Sequence, residues 1–184
     1  MSFNINELKA QLTFGGMRSS HFKVQIQNPA NSIADTKVPF LVKAAQVPES
    51  TLGTIPVYYF GRPIKLAGDR QFQPWTVTVI NDEDFLIRNA MEQWMSAINT
   101  HQGNQSTSAN GSPLNYKSTA EITQLSKTGV PVRVYRFNGL FPVNISQMDV
   151  AWDQENTIQE YQISFEYDFW DVSGGITGTA GTDR

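Results

Sequence analysis

The 184-residue chain contains no cysteine, which excludes a disulfide framework and thiol chemistry. Histidine is almost as scarce. His21 falls on the polar side of an expected strand and His101 in a polar stretch, so both read as solvated surface rather than metal ligands or triad members. No G-x-S-x-G, P-loop or H-E-x-x-H pattern occurs, and the Asp and Glu residues are scattered without singling out a catalytic pair. Positive charge is sparse too. Fourteen Lys and Arg stand against 17 Asp and Glu, giving a net charge of −3 with no basic cluster to neutralise phosphates. No apolar run approaches the ~20 residues of a membrane-spanning helix, and the first twelve residues show no signal-peptide pattern. The expectation is a protein that works in a reducing cytoplasm, or that leaves the cell without a signal peptide. Asn104-Gln-Ser and Asn144-Ile-Ser match the glycosylation pattern, and without a secretory signal both read as chance. No catalytic residue, cofactor, metal or membrane insertion is expected.

What the chain does have is concentrated between residues 48 and 99. Thr54 to Phe60 is rich in β-branched and aromatic residues, and Arg62 to Leu66 is also strand-like. Gly53, Gly61 and Gly68 punctuate the stretch, and Pro56 and Pro63 argue against a central strand. Pro48, Val57, Tyr58, Tyr59, Phe60, Arg62, Ile64 and Arg70 therefore read as an extended arm over 48–70 that lies against a neighbouring subunit, with an ordinary hairpin packed on its own domain as the other reading. Trp75 to Ile80 follows as a strand with Trp75, Val77 and Val79 on one face. Asn81 to Asp84 reads as a helix start, with Asn81 as N-cap and the acidic residues Asp82, Glu83 and Asp84 in the first turn. Ile87, Met91, Trp94 and Ile98 form one apolar stripe along that helix.

The rest of the chain is strand-rich. Residues 1–19 read as a short helix or arm. Phe22, Val24 and Ile26 alternate with polar residues, Asn28 to Asn31 is a turn, and Phe40 to Val47 is a second strand. Residues 101–118 form a long polar loop. Strands are expected at 119–125, 130–138 and 141–150, and a last one carries Tyr161, Ile163, Phe165, Tyr167 and Phe169 on one face. Residues 172–184 read as a Gly/Thr-rich tail. Trp75 and Trp94 fall on core faces, which leaves Trp152 and Trp170 free for a carbohydrate platform. The whole reads as one domain over 1–184: mainly β, an antiparallel barrel or sandwich with one main flanking helix.

Tyr59-Phe-Gly-Arg-Pro-Ile-Lys65, Ala67-Gly-Asp-Arg70, Trp75-Thr-Val-Thr-Val79, Asn81-Asp-Glu-Asp-Phe85 and Met91-Glu-Gln-Trp94 stand in an order and spacing that resembles the tail tube family of T4-like contractile-tailed phages. Ile87-Arg88, Tyr135-Arg-Phe137, Phe141-Pro142 with Ile145-Ser146, and Phe165 to Trp170 extend the likeness over about Ser20 to Asp171. The resemblance implies a fold shared with R-type pyocin and type VI secretion tubes. It also implies hexameric rings stacked into a hollow conduit in the virion, assembled in the host cytoplasm. Implied partners are other copies of the chain, tail sheath protein, baseplate and hub proteins, tape measure protein and tail terminator, with phage DNA passing through unbound. A baseplate tube-initiator of the same fold is the nearer alternative, and a carbohydrate-binding β-sandwich the distant one.

Overall fold

The computed structural model describes residues 4–12, 14–106, 112–174 and 178–179. In chain order the elements are α1 (Ile5–Gln11), β1 (Phe22–Ile26), a 3-10 turn (Ser32–Thr36), α2 (Val38–Leu41), β2 (Val42–Ala45), β3 (Thr51–Tyr59), β4 (Arg62–Gln71), β5 (Trp75–Ile80), α3 (Leu86–Ile98), α4 (Pro113–Tyr116), β6 (Ser118–Leu125), β7 (Pro131–Ile145), β8 (Glu160–Glu166) and β9 (Phe169–Ser173). Every strand pair is antiparallel. Seven strands form one sheet in the order β1-β6-β7-β8-β5-β2 with β9 also on β7, while β3 and β4 form a separate hairpin.

Strand alternation builds the core. Trp75, Val77 and Val79 point inward from β5 and lie opposite Phe165, Ile163 and Tyr161 of β8. Val24 and Ile26 from β1 and Ala120 and Ile122 from β6 bury the other half. The α3 stripe closes the core with Ile87, Met91 and Trp94, and Ile98 is half-buried beside it. Asn28 is the one buried polar residue among those described. Its side-chain amide donates to Ala90 O at 3.0 Å, and its Oδ1 accepts from the backbone of Ala30 and Asn31, so the expected turn is pinned to α3.

β7 is one 15-residue strand where two were expected, and Val150 lies outside it. Its first part pairs with β6 and β9, and from Phe141 onward it pairs with β8. The change happens at Gly139, whose φ of +70° is left-handed and whose absent Cβ leaves room for the Asp168 carboxylate. Asp168 donates its backbone N–H to Asn138 O at 3.0 Å and accepts a 2.6 Å ion pair from Lys117. These contacts break the expected long last strand at Tyr167–Asp168. Tyr167 stays buried, but Phe169 starts β9 and is exposed rather than on the core face.

Other boundaries also differ from expectation. Pro39 sits in the first turn of α2, so residues 38–41 are helical, Phe40 is 83% exposed and the strand begins only at Val42. The main helix starts at Leu86, after a left-handed Phe85 (φ 50°), not at Asp82. The acidic residues are not first-turn dipole partners. Asp82 and Asp84 both bind Lys37 Nζ, Asp84 Oδ1 also accepts the Leu86 N–H, and the Asn81 side chain bonds Gln159 instead of capping. Pairing with Asp84, and secondarily Asp82, raises the Lys37 pKa. The expected tail begins too early, since Val172 is buried in β9, and residues 175–177 and 180–184 lie outside the described residues. Within the expected polar loop, α4 forms, and residues 107–111 lie outside the described residues.

Candidate assembly surface

β3 and β4 leave the body as a free-standing hairpin. Their register runs from Thr51 opposite Gln71 to Tyr59 opposite Arg62, closed by a two-residue turn at Phe60 (φ 46°) and Gly61 (φ 81°). Positive φ at both central residues is the type I′ turn, whose twist matches the strands it joins.

The closing pair of such a turn is hydrogen-bonded, and pairs alternate from there along an antiparallel ladder. Tyr59/Arg62, Val57/Ile64 and Ile55/Leu66 are then bonded pairs, while Tyr58/Pro63 and Pro56/Lys65 are not. Both prolines fall where the missing N–H would point outward. They cost the hairpin no internal bond, and their place in a two-stranded arm agrees with their exclusion from a central strand. They remove one outward donor from each edge, which hinders addition of a further strand.

The same register sorts the side chains. Ile55, Val57, Tyr59, Ile64 and Leu66 share one face with Arg62, and all are exposed. Tyr58, Pro56, Pro63 and Lys65 share the other. Phe60 crowns the turn at 91% exposure, its ring meeting Tyr59 edge-on at 4.6 Å. The structure therefore brings Val57, Tyr59, Arg62 and Ile64 onto one apolar face and sets Tyr58 on the opposite one. Pro48 and Arg70 lie apart from them. Pro48 is half-buried at the root, and Arg70 donates to Ser50 Oγ at 3.0 Å. Ile55 and Leu66 join this face in addition to the residues expected there, and the period-two run Ile55, Val57, Tyr59 is the sequence signal for the first of them.

The root is fastened to the core. Trp75 Nε1–H donates to Gln46 O at 2.9 Å, Trp170 Nε1–H donates to Glu49 O at 3.2 Å, and Phe72 packs on Tyr167. Beneath the root lies a cleft of about 350 Å³ lined by Pro48, Glu49, Pro74, Trp75 and Tyr167, in which Glu49 is the lone carboxylate. Burial raises the Tyr167 phenol pKa there. Trp170 is thus taken up by the arm root and by Tyr135, so it does not pair with the exposed Trp152 as a two-tryptophan platform. Elsewhere, the outer edges of β1, β2 and β9 carry no strand partner among the described residues.

Residues 17–173 match the family model described as phage tail tube protein. The chain is 34% identical over 155 residues to tail tube protein gp19 of Enterobacteria phage T4, covering 84% of this chain and 90% of the relative. Two solved structures share the fold. One, from the anti-feeding prophage tube-terminating cap, has a TM-score of 0.60 at 18% identity and covers 87% of this chain and 92% of its own. Another, from the sheath–tube complex of an extracellular contractile injection system, has a TM-score of 0.58 at 14% identity and covers 94% and 99%. The span of the match over body and hairpin alike places this chain in the phage tail tube protein family.

Proposed function

We propose that this chain is the repeating, non-enzymatic subunit of a contractile phage tail tube, in which hexameric rings stack into a hollow conduit for the genome. The observation that carries the reading is the hairpin: a member of this family that exposes a two-stranded arm with an unburied apolar face. Large apolar side chains gain about 1.5–3 kcal/mol each on full burial, so a face of five is a strong drive toward a partner. Within a ring, open strand edges of one copy are closed by the next. Between rings, the Ile55–Tyr59 and Ile64–Leu66 face lies flat on a neighbouring copy, since the two prolines discourage docking by strand addition. A head-to-tail contact of that kind does not close and gives a filament.

In this reading the tube resides in the virion after assembly in the host cytoplasm. It meets tail sheath protein on its outside, baseplate, hub and terminator proteins at its ends, and tape measure protein within. DNA passes without being held, consistent with a net charge of −3 and no basic cluster. Negative-stain electron microscopy of the purified protein tests the reading. Tubes of uniform width are expected at high concentration or on a baseplate. Rings that never lengthen would point to a baseplate tube-initiator, and a monomer at every concentration and salt would overturn it.

A further inference from the structure

Besides the hairpin, two exposed apolar segments lie toward opposite ends of β7. The first is the N-terminal arm. Ile5 and Leu8 of α1 and Leu12 at its C-terminal cap form a stripe at helical spacing, no residue of α1 is buried, and Phe14 and Met17 continue the exposed surface. Lys127 Nζ donates to Gly15 O at 3.4 Å and so ties the arm to the Ser126–Gly129 turn that leads into β7. The second is the segment 146–159 that leaves β7. It exposes Val150 and Ile158 and leaves Trp152 wholly in solvent. Its roots are fixed, because Ser146 N–H donates to Gln162 O and Asn81 N–H donates to Gln159 O.

The two surfaces are complementary in charge. Segment 146–159 holds Asp149, Asp153 and Glu155 and no basic residue. The arm side offers Lys9, Arg18 and Lys127 against Glu7 alone. None of these side chains has an ion-pair partner among the described residues. Along β7 the two surfaces are separated by a contour of about 46 Å at roughly 3.3 Å per residue. In the single subunit both remain exposed, whereas two copies placed head to tail bring them together.

We propose that the N-terminal arm of one copy docks on the 146–159 segment of another, with Trp152 seated against the Ile5–Leu8–Leu12 stripe and the acidic residues facing Lys9, Arg18 and Lys127. This contact rests on the tube reading but is independent of the hairpin. It is heterologous, so it repeats without pairing off in twos.

The absence of cysteine makes a clean test available. The double variant L8C/W152C, assembled into tubes and oxidised, is expected to give a ladder of covalent multimers on a non-reducing gel, while either single variant stays monomeric. Normal tubes from the double variant with no ladder would overturn the proposal. As a second measurement, W152A and L8D/L12D are each expected to raise the critical concentration for assembly tenfold or more, with subunit circular dichroism unchanged. A shift under twofold for either, or a defect of W152A confined to sheath capture, overturns it. If the parent chain itself forms no tubes while Y59D and L8D/L12D change nothing, the tube reading has failed and this contact fails with it.

Discussion

Trp75 of β5 stacks on Phe137 of β7, ring centroids 4.4 Å apart and planes inclined by 22°. The same indole donates to Gln46 O at the root of the hairpin. One side chain therefore joins two walls of the core and holds the base of the arm. Both rings are buried, so Trp75→Ala or Phe137→Ala is expected to cost about 3–5 kcal/mol in urea unfolding of the subunit. The double variant should lose less than the sum, with a coupling of about 0.5–1.5 kcal/mol for the aromatic pair. Strict additivity would mean that the stack contributes only its area.

Trp94 offers an optical check on α3. It is buried, and its Nε1–H donates to Tyr116 O at 2.8 Å. Trp94→Ala should cost about 3–5 kcal/mol. Its fluorescence, isolated by replacing the other tryptophans with Phe, should resist aqueous quenchers. Full quenching in the native protein would contradict the packing.

Alkaline pH should weaken the subunit. Burial raises the Tyr161 pKa to about 12, above the usual phenol value of 10.0; Arg88 opposes the rise and Glu92 adds to it. The unfolded chain ionises first, so this contribution is whole below pH 10 and is lost as pH climbs toward 12. Lys37 acts in the same direction. Its folded pKa is raised by Asp84 and Asp82, so the benefit of those pairs is present below 10.5 and lost above it. Denaturation midpoints at pH 9 and pH 11.5 should differ for the parent. The gap should narrow in Tyr161→Phe and in Lys37→Met. An unchanged gap in both variants would show that neither group carries the effect.

Free subunits should bind DNA negligibly at physiological salt, since no Lys/Arg cluster exists to release counterions. Submicromolar, sequence-independent binding in a titration would contradict a conduit through which DNA slides.

Period and punctuation made much of this fold legible. The alternation of Trp75, Val77 and Val79 and the helical spacing of Ile87, Met91 and Trp94 each state one face directly, because one side of each element is buried. At 40–41 a local signal, Pro39 in a first helical turn, delays the strand, but two other failures come from long-range contacts that decide local boundaries. Lys37, 45 and 47 residues from its partners, draws Asp82 and Asp84 out of the helix start. Asp168, lodged against Gly139, ends a strand that the alternation through Phe169 would have continued. At the assembly surface the aromatic tip was visible in composition. The pairing that puts Ile55 and Leu66 beside Val57 and Ile64 needed the register. The positions of the two prolines on the outer edges needed it as well.

The hairpin's exchange behaviour should report its partner. Hydrogen exchange at 51–71 should be fast in subunits, because a two-stranded sheet alone is marginal in water, and slow in tubes, while 75–80 is protected in both. Tyr59→Asp should leave the subunit folded and block stacking, because it places a charge within the apolar face without touching the core. Equal protection of the arm in both states, or normal tubes from Tyr59→Asp, would remove the interface.

Phe60 gives the sharpest test. A type I′ turn favours Asn-Gly, yet this chain places Phe60 in the left-handed region before Gly61 with its ring 91% exposed. A bulky residue there costs about 1–2 kcal/mol relative to one that tolerates the conformation. Among the described residues, nothing offsets that cost beyond the edge contact with Tyr59. Local rules that are broken in this way are expected where a side chain serves a partner. Phe60→Asn should therefore slow hydrogen exchange of the hairpin in free subunits and, at the same time, raise the concentration needed for tube growth. The two effects have opposite signs, so a purely structural role cannot produce both. If Phe60→Asn instead stabilises the hairpin and leaves assembly untouched, the ring of Phe60 makes no inter-subunit contact and the docked face must end at Tyr59.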